Sequence, residues 1–161
     1  MRSTQKPRIG VIGGSIAEPS VLETARSVGE AIAKAGAILV CGGRGGVMEA
    51  ACRGAKSAGG LTLGILPGDR AEEANAWVDI PVVTGLGEAR NVLIARTAQA
   101  IVALPGGTGT LSEIAFSLNF GRRVIAIDGW ESIPEVETYS DPEAAVARAL
   151  EAAREIEARS A

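Results

Sequence analysis

Six short, largely apolar runs, each ending within two residues of a glycine, are the feature that most constrains this chain. They are Arg8–Gly13, Ala37–Cys41, Leu61–Leu66, Asp79–Val83, Ala100–Leu104 and Arg123–Asp128. Ala37-Ile-Leu-Val-Cys41 and Ala100-Ile-Val-Ala-Leu104 show no alternation of apolar and polar residues, the pattern of strands buried on both faces. Segments with helical spacing lie between most of the runs. Strands alternating with helices require a mainly parallel sheet with helices on both faces and right-handed crossovers. The expected fold is a single-domain, Rossmann-like, doubly wound α/β structure spanning residues 1–161. At 161 residues the chain is long enough for one substantial core and too short for two.

The helices can be placed. Ser20-Val-Leu-Glu23 has capping-box spacing and predicts a helix over 20–35, with Gly36 taking the positive φ of a helix C-terminus. A second helix is predicted from the glycines at 42–46 to about Ala58, stopped by Gly59-Gly60. Residues 69–79 read as loop or short helix. Further helices are predicted from Gly87 to Thr97 and from Thr110 to about Phe120. Gly129 to Ser140 reads as a loop. Asp141 is a natural N-cap for a last helix, with Pro142 in its first position.

Composition excludes whole classes of chemistry. There is no histidine, which removes His-based triads, His-containing zinc sites and any His general base. Cys41 and Cys52 form no CxxC and are too few for a metal framework, so no metal site is expected. They read as small buried residues of a reducing compartment. The net charge of −3 and five aromatic residues disfavour a nucleic-acid partner, which needs basic surface and stacking platforms. No apolar run approaches the roughly 18 residues of a membrane span, and Met1 to Arg8 is polar without a signal-peptide core. A cytoplasmic protein without a membrane partner is expected.

The chemistry lies in the glycine segments. In a parallel sheet the turns after the first, second and fifth runs share one edge, where such sheets bind ligands. Gly42-Gly43-Arg44-Gly45-Gly46-Val47-Met48-Glu49 aligns with Gly106-Gly107-Thr108-Gly109-Thr110-Leu111-Ser112-Glu113. Each follows a strand, opens a helix and carries Glu at the same offset. Glycine lets a bound group approach the backbone, and a helix start offers unpaired N–H donors. A phosphate cradle is therefore expected from Gly14 and Ser15, from Gly42, Gly43, Gly45, Gly46 and Met48, and from Gly106, Gly107, Thr108, Gly109 and Thr110. Neither loop is a Walker A or a GxGxxG motif, and both also fit tight connections. Glu113 is either a catalytic carboxylate or the far end of a Thr110-Leu-Ser-Glu113 capping box, and Glu49 reads equally as a first-turn helix acid. Arg90 either clamps a phosphate or pairs with Glu88 or Glu113. Arg122-Arg123 reads as a solvated edge, and Trp77, Trp130 and Tyr139 as packing residues.

Pro105-Gly-Gly-Thr-Gly-Thr-Leu-Ser-Glu113 resembles the PGGxGTxxE motif of the LOG-type phosphoribohydrolases, a family long labelled lysine decarboxylases. Gly42–Met48 is similar to that family's GGGxxGLM loop, and Leu63-Gly-Ile-Leu-Pro67 to its GIIP strand end. The resemblance runs from Arg8 to about Asp128. The wider superfamily includes molybdenum cofactor carrier proteins and, distantly, the DprA/Smf DNA-processing proteins. The resemblance implies a hydrolase that splits a nucleoside 5'-monophosphate into free base and ribose 5-phosphate. Glu113 would stabilise the ribosyl cation or activate water, Arg90 would orient substrate and Glu113, and no cofactor would be needed. The alternative is a non-catalytic carrier of molybdenum cofactor or a nucleotide. The hydrolases read MHxRK where this chain reads Gly87-Glu-Ala-Arg90-Asn91, and their position equivalent to Arg44 is usually small. The TGLGEARN and GTLSE wording is closer to the carrier branch. A homodimer or larger homo-oligomer is also implied. Lysine decarboxylation is disfavoured, because none of Lys6, Lys34 and Lys56 lies in the glycine loops.

Overall fold

The computed structural model describes residues 5–160; Met1–Thr4 of the polar N-terminal stretch lie outside the described residues. The chain runs β1 (Arg8–Ile12), α1 (Pro19–Lys34), β2 (Ile38–Cys41), α2 (Val47–Ser57), β3 (Leu61–Leu66), β4 (Ile80–Val83), α3 (Asn91–Thr97), β5 (Ala100–Ala103), α4 (Thr108–Asn119), β6 (Arg123–Ile127), β7 (Glu137–Tyr139) and α5 (Pro142–Ser160). Short 3-10 turns cover Ala71–Glu73 and Gly87–Arg90. All seven strands join one parallel sheet in the order β4-β3-β2-β1-β5-β6-β7. This is the doubly wound arrangement that the alternation predicts, with its change of direction between β1 and β5.

Two apolar layers flank the sheet. The back layer packs Ile9, Val11, Leu39 and Cys41 against α1, α2 and α5. The front layer packs Ile12, Val40, Ile65 and Ile101 against α3 and α4. On the back, α1 and α2 meet almost backbone to backbone. A methyl group on Gly29 would strike the Ala51 carbonyl, and one on Gly54 the Arg26 carbonyl. Gly36 takes φ +74° behind α1, as a helix C-terminus favours. Asp141 caps α5, its Oδ2 accepting the Ala144 N–H at 2.8 Å.

Four local expectations are corrected. The Ser20–Glu23 capping box does not form. Pro19 opens α1 behind an extended Glu18, and Glu23 pairs with Arg26 at 2.6 Å instead. The predicted helix over 87–97 is a 3-10 turn followed by the seven-residue α3, because Gly87 takes φ +58°. The helix predicted from Thr110 starts at Thr108 behind an extended Gly107, which places Glu113 in its second turn. The predicted loop over 129–140 contains β7, held to β6 with Ile127 opposite Tyr139.

Candidate functional site

Three turns meet at the carboxyl edge of the sheet, over β2, β1 and β5. The Gly14 N–H donates to the Pro105 carbonyl at 2.9 Å, and the Gly14 carbonyl accepts from the Val47 N–H at 3.0 Å. The predicted cradle residues are therefore brought to one edge, but they divide into two kinds. Gly42, Gly43, Gly46 and Met48 are fixed by packing. A Cβ on Gly42 would strike the Arg90 guanidinium and the Met48 sulfur, and one on Gly46 would strike Gly14 and Ser15. Gly43 needs its φ of +75°, and Met48 is buried beneath the loop. Gly106 is held between Gly14 N and Thr110.

The first turn of α4 differs. A Cβ on Gly107 would meet nothing within 4 Å, and one on Gly109 nothing closer than 3.9 Å. No side chain caps this helix; Gly107 and Thr108 are exposed, and the groups nearest a Cβ on Gly109 are the Glu88 carboxylate and the Asn91 amide, at 3.9 and 4.0 Å. Thr110 is buried one position further on. A bare helix N-terminus at a strand-order switch attracts an anion through its free donors and dipole. Ser15 and Gly45 flank this opening from the neighbouring turns, Ser15 exposed and Gly45 half-buried.

Arg90 is buried over the ends of β2 and β3, only 7% exposed. Its Nη1 donates to the Gly42 and Ile65 carbonyls, both at 2.8 Å, while Nε has no partner. Neither expected ion pair, to Glu88 or to Glu113, is present. Glu113 is also buried, and its carboxyl accepts no hydrogen bond among the described residues. Burial pushes that carboxyl up to about 8, against the pull of the Arg90 charge, and Glu88 adds to the rise. Glu113 is therefore mainly neutral at pH 7. The capping-box reading of Glu113 fails, since Gly107 is the N-cap and Thr110 lies inside the helix.

Sequence reasoning missed two supports of this edge. Asn91 Nδ2 donates to Ser112 Oγ at 3.1 Å, and Ser112 Oγ donates to the Gly109 carbonyl at 2.6 Å, tying α3 to the open turn. Asn75 straps the other loop: its N–H donates to the Gly43 carbonyl at 2.9 Å and its Nδ2 to the Arg44 carbonyl at 2.9 Å. Asn91 directly follows Arg90, and that adjacency was the available signal. Asn75 stands in a polar stretch that gives none. Cys41 and Cys52 are buried free thiols with sulfurs 3.5 Å apart, and among the described residues no three His, Cys, Asp or Glu side chains gather for a metal.

A doubly wound sheet, an uncapped helix start at its switch point and a buried arginine at the same edge define an α/β protein with a candidate ligand site at the carboxyl ends of its strands. The chain belongs to the SLOG cluster4 family, whose profile matches residues 6–156. It thereby falls in the superfamily shared by LOG-type phosphoribohydrolases and molybdenum cofactor carriers. The molybdenum cofactor binding protein of Rippkaea orientalis is 40% identical, with a TM-score of 0.85 over 96% of this chain and 99% of that one. The molybdenum cofactor carrier protein of Chlamydomonas reinhardtii is 37% identical, with a TM-score of 0.84 over 92% and 98%. A cytokinin riboside 5'-monophosphate phosphoribohydrolase of Mycobacterium marinum is 35% identical over 70% of this chain, which spans only 65% of that enzyme. DNA processing protein A of Streptococcus pneumoniae shares the fold, with a TM-score of 0.74 at 18% identity. Among the described residues no helix is long and apolar enough to cross a membrane.

Proposed function

We propose that this protein binds a phosphorylated heterocyclic ligand of the molybdenum cofactor type and carries it without turning it over. The phosphate lies on the free N–H groups of the α4 start, around Gly107, Gly109 and Thr110, with Gly14, Ser15 and Gly45 alongside. The observation that carries the non-catalytic reading is that Arg90 and Glu113, near enough to feel each other's charge, form neither an ion pair nor a hydrogen bond. Arg90 spends its Nη1 on two backbone carbonyls, and Glu113 is an unpaired, neutral carboxyl. Glycosidic cleavage needs a carboxylate to stabilise an oxocarbenium-like state, and a neutral carboxyl gives little of that stabilisation. The near-complete overlap with the two molybdenum cofactor proteins supports the same reading. So does Asn91, which stands where the hydrolases carry lysine.

The hydrolase reading is kept on one observation. A carboxyl titrating near neutrality beside a buried arginine suits a general acid that protonates a departing base. One experiment separates the two. The purified protein is incubated with a panel of nucleoside 5'-monophosphates and assayed for free base and ribose 5-phosphate, and in parallel titrated with molybdenum cofactor. Cofactor binding without base release is the expected result. Base release that Glu113→Gln abolishes would replace the carrier by the enzyme.

A further inference from the structure

The exit from β6 carries strained backbone. Asp128, Gly129 and Trp130 follow one another with φ of +56°, +139° and +68°. Asp128 and Trp130 are the only non-glycine residues with positive φ among the described residues. A bulky side chain avoids that region, because its Cβ crowds the following carbonyl oxygen. Such a conformation persists only where the surroundings fix it, and residues held in this way gather at binding sites.

The contacts that fix it are of two kinds. Within the segment, the Gly129 N–H donates to Glu131 Oε1 and the Trp130 carbonyl accepts the Ile133 N–H, both at 3.0 Å. The half-buried Trp130 ring also packs with Ile133 on the front layer. Packing of this sort asks for no N–H, and a phenylalanine ring would supply it. The other contact leaves the segment: the Trp130 indole Nε1–H donates to the Leu104 carbonyl at 2.9 Å.

Leu104 depends on that bond. It is fully buried, and it stands directly before Pro105-Gly106-Gly107, the turn that opens α4. The register of β5 with β6 ends one residue earlier, at Ala103 and Ala126. The indole is the one donor to the Leu104 carbonyl among the described residues. The next carbonyl, that of Pro105, accepts the Gly14 N–H at 2.9 Å from the turn after β1. β1 and β6 are the two neighbours of β5 in the sheet. Two successive carbonyls are therefore held from the two sides of β5, which leaves the chain little freedom as it enters Gly106 and Gly107.

Resting on the phosphate site proposed above, we infer that Trp130 is a positioning residue for that site. Its indole N–H sets where the Pro105–Gly107 turn delivers the N–H groups of the α4 start. The strained exit from β6 is what brings the indole to the Leu104 carbonyl. Trp130 acts on the ligand through the turn, so its place in the sequence reads only as packing.

The test removes the N–H and keeps a ring. Wild type, Trp130→Phe and Ile133→Ala are titrated calorimetrically, as full chains below their melting points, with uridine 5'-monophosphate and with molybdenum cofactor. Trp130→Phe is expected to bind about tenfold more weakly, the loss that follows when a buried acceptor is left unpaired. Ile133→Ala loosens the same segment but keeps the indole bond. It is expected to melt lower while its affinity stays within about twofold of wild type. If Trp130→Phe does not fold, benzothienylalanine in place of tryptophan in a Trp77→Phe background makes the same comparison against that parent, since it puts sulfur where the indole has N–H. Unchanged affinity on loss of the N–H would overturn the assignment and leave the phosphate site standing. Equal weakening in Trp130→Phe and Ile133→Ala would also overturn it, because general loosening would then explain both. Failure of the wild type to bind either probe would overturn the phosphate site and this inference together.

Discussion

Glu113 shows how burial decides a residue's chemistry. In an unfolded chain it titrates near 4.5, and in the fold near 8. The folded form therefore holds its proton more tightly. That contribution to stability is fully present below about pH 4.5 and is lost as pH rises through about 8. Glu113→Gln removes the titration while keeping the shape. The stability of the wild type relative to this variant should therefore fall between about pH 5 and pH 8, by on the order of a few kcal/mol. Chemical denaturation of both proteins across that range measures it, and parallel curves would reject the neutral carboxyl. Above pH 8 the wild type should also lose affinity for anionic ligands, because a new negative charge appears beside the site.

At the level of single elements, the start of α4 separates packing from binding. Gly109 lies inside the helix with room for a methyl group. Alanine there should raise helix stability by roughly 0.5–1 kcal/mol, the usual gain over glycine in a helix. The same methyl should obstruct the anion above the turn. Gly109→Ala is therefore expected to melt higher yet bind a nucleotide or molybdenum cofactor at least about tenfold more weakly. A higher melting point with unchanged affinity would move the ligand elsewhere. Gly106→Ala should behave differently, since its methyl meets Thr110 and the Gly14 N–H.

Much of this geometry was readable from residue order, because apolar runs cut by glycine leave few alternatives. β3 falls on Leu61–Leu66 as predicted, and the glycine turns share one edge. β7 was not readable: Glu137-Thr138-Tyr139 is a polar three-residue edge strand with one neighbour. The burial of Arg90 was not readable either. An arginine in sequence looks like a surface cation, and only the fold brings the Gly42 and Ile65 carbonyls to it. Met48 matched a ligand-side motif by position, but it packs under Gly42.

The whole molecule is lopsided. Its back face carries helices of 16, 11 and 19 residues, its front face helices of 7 and 12. Ile80 and Val82 pair with Leu63 and Ile65 of the front layer, yet are 44% and 37% exposed. Apolar side chains left open on an edge strand favour pairing with another copy. We expect a homodimer closed over this front face. Light scattering at micromolar concentration should give twice the 16.4 kDa chain mass, and Val82→Lys should return it to one. A wild-type monomer would reject this. The back face has the opposite character. The reciprocal approach of Gly29 and Gly54 leaves no side chain between α1 and α2 to act as a bearing, so the two helices resist shear and move as one plate. The connection between β4 and α3 is tied back as well: the Gly85 and Gly87 N–H groups donate to the Gly68 and Pro67 carbonyls at 2.8 and 2.9 Å, and Arg90 is anchored on the Gly42 and Ile65 carbonyls. A ligand therefore meets a preformed edge, and one that needs a wider opening is turned away.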